Sequence, residues 1–286
     1  MSLIGRLHET LTARMDPRPL AWVRIGVGAA ALLRGFESWR VLGRVLDPDR
    51  VALPFCEALP RLSLEALPLF IGGWLAAALC LLLGWHTRLA GLALSLAVAY
   101  AIALDRQLYA SHLYLMGLLS LLLALGGAGE ALSLDALRRG SPAARAIPSW
   151  PAALLKAQLS IVYGFAALAK LNPVYLSGAV LAVNLRHGGP LALPEALLAA
   201  PLLAALAAGS VALEAFLALA LWSPRWRRAA LLLGPAFHAA MVLAIDPALA
   251  LQIGVFAIEA LSLYLLFLEL PIGEPSAVAY SPQIGA

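Results

Sequence analysis

Lysine is the residue type in this chain whose distribution first suggests chemistry. Of its twenty basic residues eighteen are arginine and two are lysine, Lys156 and Lys170. Both lie on one apolar stretch, IPSWPAALLKAQLSIVYGFAALAKLNP, residues 147–173. A lysine amine gives up its proton in an apolar setting and then acts as a base, whereas a guanidinium keeps its charge. Lys156, Tyr163 and Lys170 are seven residues apart, so on a helix they share one face, with Ser160 and Ala167 in the same stripe. Two readings of Lys170 stay open from position alone. It snorkels to the headgroups at a helix C-terminus, where any cation is favourable, or it is a base held inside a cavity. Snorkelling needs only positive charge, for which the chain elsewhere uses arginine. Lys156, near the inner interface, reads as structural.

The remaining costly side chains sit on other apolar runs: Arg24, Arg34, Glu214, His238 and Glu259, with His112 and Tyr114 opening another. Each ionisable group placed mid-membrane costs about 2.5–3.5 kcal/mol on insertion scales, so such groups are expected to face the bundle interior. Glu214 and Glu259 read as neutralising partners of Arg24 or Arg34, because a buried charge without a partner is expensive. His238 reads as a packed, hydrogen-bonded histidine. No His/Glu spacing on a helix and no cysteine spacing suggests a metal, haem or iron–sulfur site; the two cysteines, Cys56 and Cys80, are not expected to pair.

These residues need elements to position them, and composition says which. The chain is 62% hydrophobic and 13% charged, with a mean hydropathy of +0.88. A soluble domain carries about twice that charged fraction. The reading is an all-α, polytopic transmembrane helical bundle of eight spans: 20–36, 66–84, 89–104, 109–126, 152–171, 199–222, 229–245 and 249–268. Long Ala/Leu runs without alternation exclude a β-barrel. Residues 1–19 form a short polar segment without a signal-peptide core, of a kind to make an amphipathic surface helix ended by Pro17 and Pro19. Residues 20–270 form the membrane domain and 271–286 a tail, with no second domain expected. With the N-terminus inside, inner segments hold ten arginines and outer ones six, which favours N-in and C-in. Lys170 then falls on the less basic, outer side. The net charge of +4 reports orientation and does not suggest nucleic acid. Two outer segments are long, 37–65 and 173–198, the second suited to lying along or dipping into the membrane.

The run around Lys170 resembles the corresponding helix of vitamin K-dependent gamma-carboxylase and its bacterial relatives, the HTTM (horizontally transferred transmembrane) family. The matching residues are Trp150, Gln158, Tyr163, Lys170-Leu171-Asn172 and Tyr175-Leu176-Ser177-Gly178. In the same order, DPRPLAWVRIGVG (16–28, with Arg24), LLLGWHTRLAGL (81–92), SHLYLMGLLSLLLAL (111–125), SLDAL (133–137) and FHAAMVLAIDPALALQIGVF (237–256) resemble further family stretches, so the likeness runs over about residues 16 to 270. It implies a bacterial inner-membrane, multi-pass protein. It also implies chemistry in which a reduced vitamin K-type hydroquinone reacts with O2, removes a proton from a peptide glutamate, and lets CO2 add. Lys170 would deprotonate the hydroquinone and His112 would assist by hydrogen bonding. Tyr163, Asn172, Arg186, His187 and His238 would line or support the quinone site.

Departures from the carboxylase are Ala169 where the eukaryotic enzyme has a second lysine and Ser111 in place of asparagine, and the soluble domain that seats the glutamate there is not expected here. Three readings therefore stand side by side. The first is a quinol-dependent, carboxylase-like lyase. The second is a quinone-binding subunit that needs a redox partner. The third is a non-catalytic factor that assists maturation or export of a secreted peptide or works with a separately encoded soluble partner.

Overall fold

The computed structural model describes residues 3–140, 145–186, 194–245 and 247–268 of the chain. It is helical almost throughout. A short amphipathic helix, α1 (Leu3–Thr12), precedes the long α2 (Arg18–Val45), α3 (Leu67–Leu83), α4 (Thr87–Leu104) and α5 (Ser111–Leu125). A small helix α6 (Leu134–Arg138) leads to α7 (Trp150–Lys170), then α8 (Pro173–Leu176), α9 (Ala179–Arg186), α10 (Ala200–Ala220), α11 (Arg227–Ala244) and α12 (Pro247–Tyr264). Each of the eight expected spans falls on one of these helices. Five are long and apolar enough to cross a membrane: Arg18–Val45, Thr87–Leu104, Trp150–Lys170, Ala200–Ala220 and Leu249–Phe267. Leu67–Leu83 and Ser111–Leu125 are apolar but shorter. Helix α11 begins on Arg227 and Arg228 and holds Pro235 and His238, so its length is not matched by apolarity.

Three details differ from the sequence reading. Residues 37–45, expected in an outer loop, continue α2, because nothing in ESWRVLGRV breaks a helix until Asp47-Pro48. Pro17 and Pro19 open α2 and do not close α1, which has already ended at Thr12; proline suits a first helical turn, whose N–H groups have no helical partner. A two-residue antiparallel bridge, which the sequence reading did not include, pairs Arg14 with Pro148 and Met15 with Ile147. It ties the N-terminal segment to the start of α7, and Arg14 reinforces it by donating from Nη1 to the Ala146 carbonyl at 3.0 Å.

The core lies where α2 packs against α3 and α12, α4 against α5, and α7 against α10. Val23, Val27, Ala30 and Ala31 of α2, Trp74 and Ala78 of α3, Leu115, Met116 and Leu119 of α5, and Leu155 and Leu159 of α7 share one cluster. Small residues on α2 let its backbone lie close to its neighbours, the usual device where lipid supplies no hydrophobic drive between helices. Trp74, fully buried, donates its indole N–H to the Ala31 carbonyl at 2.9 Å, so its large ring is held without an unpaired donor.

Candidate functional site

Helix α7 places Tyr163 and Lys170 on the same face, as their spacing requires. At its end Leu171 leaves the helix and Asn172 starts α8. The Asn172 side chain accepts from the Tyr175 N–H at 2.9 Å and donates to the Ala169 carbonyl at 3.0 Å. It caps α8 at its N-terminus, with Pro173 in the first turn. Its carbonyl oxygen and one of its two N–H donors are thus engaged with backbone. Its effect is indirect: it sets the turn that brings the Tyr175 ring 5.6 Å from Lys170 Nζ, and Tyr175 is anchored by its hydroxyl to Ser210 Oγ at 2.8 Å.

Lys170 does not snorkel. Its Nζ donates to Glu214 Oε1 of α10 in an ion pair. Glu214 is buried, and its second oxygen, Oε2, has no hydrogen-bond partner among the described residues. The pair borders a cavity of about 680 Å3 between the start of α5, the C-terminal half of α7, α10, α11 and the start of α12. Aromatic and aliphatic side chains make most of its wall, among them Phe165, Phe237, Met241, Ile253 and Phe256. Its polar groups are few: His112, Gln158, Tyr163, Lys170, Glu214 and Gln252 are the principal ones. A mostly apolar cleft with a few convergent polar groups is the general form of a small-molecule site.

Tyr163 and Gln252 are held from behind. Tyr163 is buried, and its hydroxyl is 2.8 Å from both His238 Nε2 and Tyr264 Oη. Gly234 makes room for Tyr264, since a Cβ there would stand 1.9 Å from the Tyr264 oxygen. His238 thus supports the cavity through Tyr163, as a buried hydrogen-bonded histidine, with Phe256 edge-on at 5.5 Å. Gln252 donates from Nε2 to Glu37 Oε1 at 3.1 Å, and Glu37 in turn pairs with Arg34. His112 is buried at the start of α5, and its Nε2 has no hydrogen-bond partner among the described residues.

The structure therefore brings Lys170, His112, Tyr163 and Glu214 to one cavity and His238 directly behind it. It separates others. Arg24 is fully buried but donates to four backbone carbonyls: Ala128 from Nε at 3.1 Å, Leu81 and Leu82 from Nη1 at 2.6 Å each, and Leu132 from Nη2 at 2.5 Å. Those of Leu81 and Leu82 lie in the last turn of α3, where carbonyls lack helical partners, and Gly84 turns the chain away with a φ of +69°. The expected ion pairing of Glu214 or Glu259 with Arg24 or Arg34 takes another form. Arg24 bonds to carbonyls, Arg34 pairs with Glu37, and Glu214 pairs with Lys170. Glu259 is fully buried and neither of its oxygens has a hydrogen-bond partner among the described residues. Arg186 ends α9, exposed, and is not part of the cavity wall; His187 lies outside the described residues. Lys156 sits apart, with Nζ 5.1 Å from the Phe267 ring.

Sequence reasoning missed Tyr264, Gln252 and Tyr175 as parts of this site. Tyr175 stood inside the quoted motif; Gln252 and Tyr264 had no local signal beyond being polar residues on an apolar run. Among the described residues no three His, Cys, Asp or Glu side chains gather as metal ligands.

The family model described as the HTTM domain matches residues 13–270, and the chain belongs to that family. No solved structure matches it.

Proposed function

We propose that this HTTM-family membrane protein binds a reduced, vitamin K-type quinone in the α5–α7–α10–α12 cavity and takes a proton from it with Lys170. The observation that carries the reading is the Lys170–Glu214 pair set into the wall of an otherwise apolar and aromatic cavity. The residues fit a flat, greasy diol. Phe165, Phe237 and Phe256 offer ring faces and edges, and His112, Gln158, Gln252 and Lys170 offer hydrogen-bonding groups to hydroxyls. Bound there with O2, the hydroquinone supplies the oxygen-driven base of carboxylase-type chemistry, with CO2 as the group added.

The chain's own part is acid–base and positional. Lys170 accepts the hydroxyl proton, and its ammonium then stands beside the oxygen that has become negative. His112, whose Nε2 is otherwise unpartnered, hydrogen-bonds a ligand oxygen. Tyr163, fixed by His238 and Tyr264, sets the depth to which the ring enters. Apolar walls keep water from the nascent charge and so strengthen each of these contacts.

In this reading all eight long helices cross the membrane, with both termini on the basic, inner side. The cavity lies toward the outer side, where a secreted peptide or a separate soluble partner would meet it. The setting is a bacterial inner membrane, as the resemblance implies. The test is quinol epoxidation. The full chain in detergent is given reduced naphthoquinone and O2, and epoxide is followed by mass, with Lys170→Ala and Lys170→Arg alongside. Epoxide from the natural sequence and from neither variant is the expected result. Binding without epoxide points to a quinone-carrying subunit. No binding at all removes the quinone reading and leaves a maturation or export factor.

A further inference from the structure

A lysine already paired with a carboxylate is not yet a base, because its proton is held in that pair. The geometry offers a way out. Lys170 Nζ donates to Glu214 Oε1 directly, the Glu214 side chain is only 5% exposed, and its Oε2 is buried with no hydrogen-bond partner among the described residues. A full negative charge spread over those two oxygens has one ammonium on one side and nothing on the other, a costly arrangement in an apolar wall. Moving the shared proton along the existing hydrogen bond removes both charges. It leaves a neutral amine facing the cavity and a carboxylic acid behind it.

We infer that Glu214 is a catalytic residue of this cavity: it takes the Lys170 proton before the ligand hydroxyl gives up its own. This rests on the reading of the cavity as a hydroquinone site. The proton balance is simple. Lys170–NH3+ and Glu214–COO− become Lys170–NH2 and Glu214–COOH. The ligand O–H bond then breaks and an N–H bond forms on Lys170. The end state holds a ligand oxyanion, Lys170–NH3+ and Glu214–COOH. Net charge is zero before and after, and no oxidant enters this step. The ammonium, no longer neutralised by Glu214, is free to pair with the ligand oxyanion, so the product of proton transfer is stabilised and the starting alcohol is not.

Infrared difference spectroscopy on the full chain in detergent tests this, with reduced naphthoquinone as the probe and its binding followed separately by quenching of protein fluorescence. Binding is expected to raise the carbonyl band of a protonated carboxylic acid. Glu214→Gln abolishes that band, Glu214→Asp returns it at a shifted frequency, and Glu259→Gln, a change at the other buried carboxyl, leaves it. Epoxide formation falls at least a hundred-fold in Glu214→Gln, and the Asp variant recovers part of it. Binding to the natural sequence without the band, or a band that survives Glu214→Gln, overturns the inference while the cavity reading stands. Failure of the probe to bind at all overturns both. If the Gln variant does not fold, the shifted band of the Asp variant still decides the matter, since an unshifted band assigns the acid to another residue.

Discussion

Arg24 and Lys170 are both cations placed on membrane helices, and their surroundings are opposite. Arg24 is sealed between the end of α3 and the 126–133 turn, and its guanidinium is spent on four carbonyls. A Cβ on Gly84 would come within 2.7 Å of its Nη1, so the chain packs closely against the guanidinium. Lys170 has one carboxylate partner, an aromatic ring beside it, and a cavity in front of it. A charge whose every nitrogen is bonded to a carbonyl holds the fold together. A charge with one partner and open space before it is available for a reaction. Residue type follows the same division, because a planar five-donor group suits converging carbonyls and a single amine suits proton transfer.

Exchanging the two residue types is the strongest way to break that comparison. Lys170→Arg keeps the charge and the ion pair with Glu214 but loses the base. Turnover of the proposed reaction is expected to drop about 10²–10⁴-fold, the usual worth of a positioned general base, with thermal unfolding in detergent little changed. Retained turnover in that variant would return Lys170 to a purely electrostatic role. The reciprocal change, Arg24→Lys, is expected to act on stability. An ammonium has three donors and cannot span carbonyls on both sides of the corner, so buried acceptors go unpaired at a total cost of about 3 kcal/mol or more. The measurement is unfolding in mixed micelles. A variant as stable as the parent would show that the carbonyl network is not what secures α3 to the following turn.

How far the sequence revealed this division depends on what kind of partner each residue has. Lys170 was legible because two lysines among eighteen arginines is a signal of residue type, and Tyr163 because it lies one heptad before Lys170. The eight apolar runs were legible as helices for the same compositional reason. Glu214 was visible as a buried acid but not as the partner of Lys170, because the two are 44 residues apart and pairing depends on how α7 meets α10. Arg24 misled for a physical reason: backbone carbonyls are carried by every residue, so no pattern marks the four that converge on it. Asn172 belonged to the motif and was taken for a ligand-binding amide. Its neighbour Pro173 was the better clue, since Asn followed by Pro is also how a helix begins. Glu259, read from the sequence as a neutralising partner of Arg24 or Arg34, is completely buried and feels the charge of Arg34, but among the described residues it has no hydrogen-bond partner.

Asn172 also sharpens the comparison, because it belongs to the reactive region while its own task is structural. Asn172→Ala removes a cap worth about 1 kcal/mol and loosens the turn that holds Tyr175 beside Lys170. Turnover is expected to fall several-fold with an unchanged pH profile, whereas Lys170 or Glu214 variants alter the profile itself. Asn172→Asp restores the acceptor to the Tyr175 N–H and is expected to recover most of the loss. A pH profile displaced by Asn172→Ala would mean that the amide touches the ligand after all.

The smallest effect is expected at the sealed corner, and pH reveals it. Asp135 stands at the start of α4 and accepts from the backbone N–H groups of His86 and Thr87 and from the Thr87 hydroxyl, each at 2.8 Å. Burial pushes its carboxyl upward, but these hydrogen bonds together outweigh burial and hold it below the ordinary value of 3.8. Its contribution to stability is therefore complete above that value and is lost as pH falls through the lower, folded-state value. Asp16, held down by its hydrogen bond with Arg18, works in the same direction. Acid titration of unfolding in detergent is thus expected to show stability declining below about pH 4. Asp135→Asn should start from a lower plateau and decline less steeply over that range, because the variant has no charge there to lose. An equal slope in both proteins would place the acid-sensitive group elsewhere and leave Asp135 as a cap whose charge is immaterial.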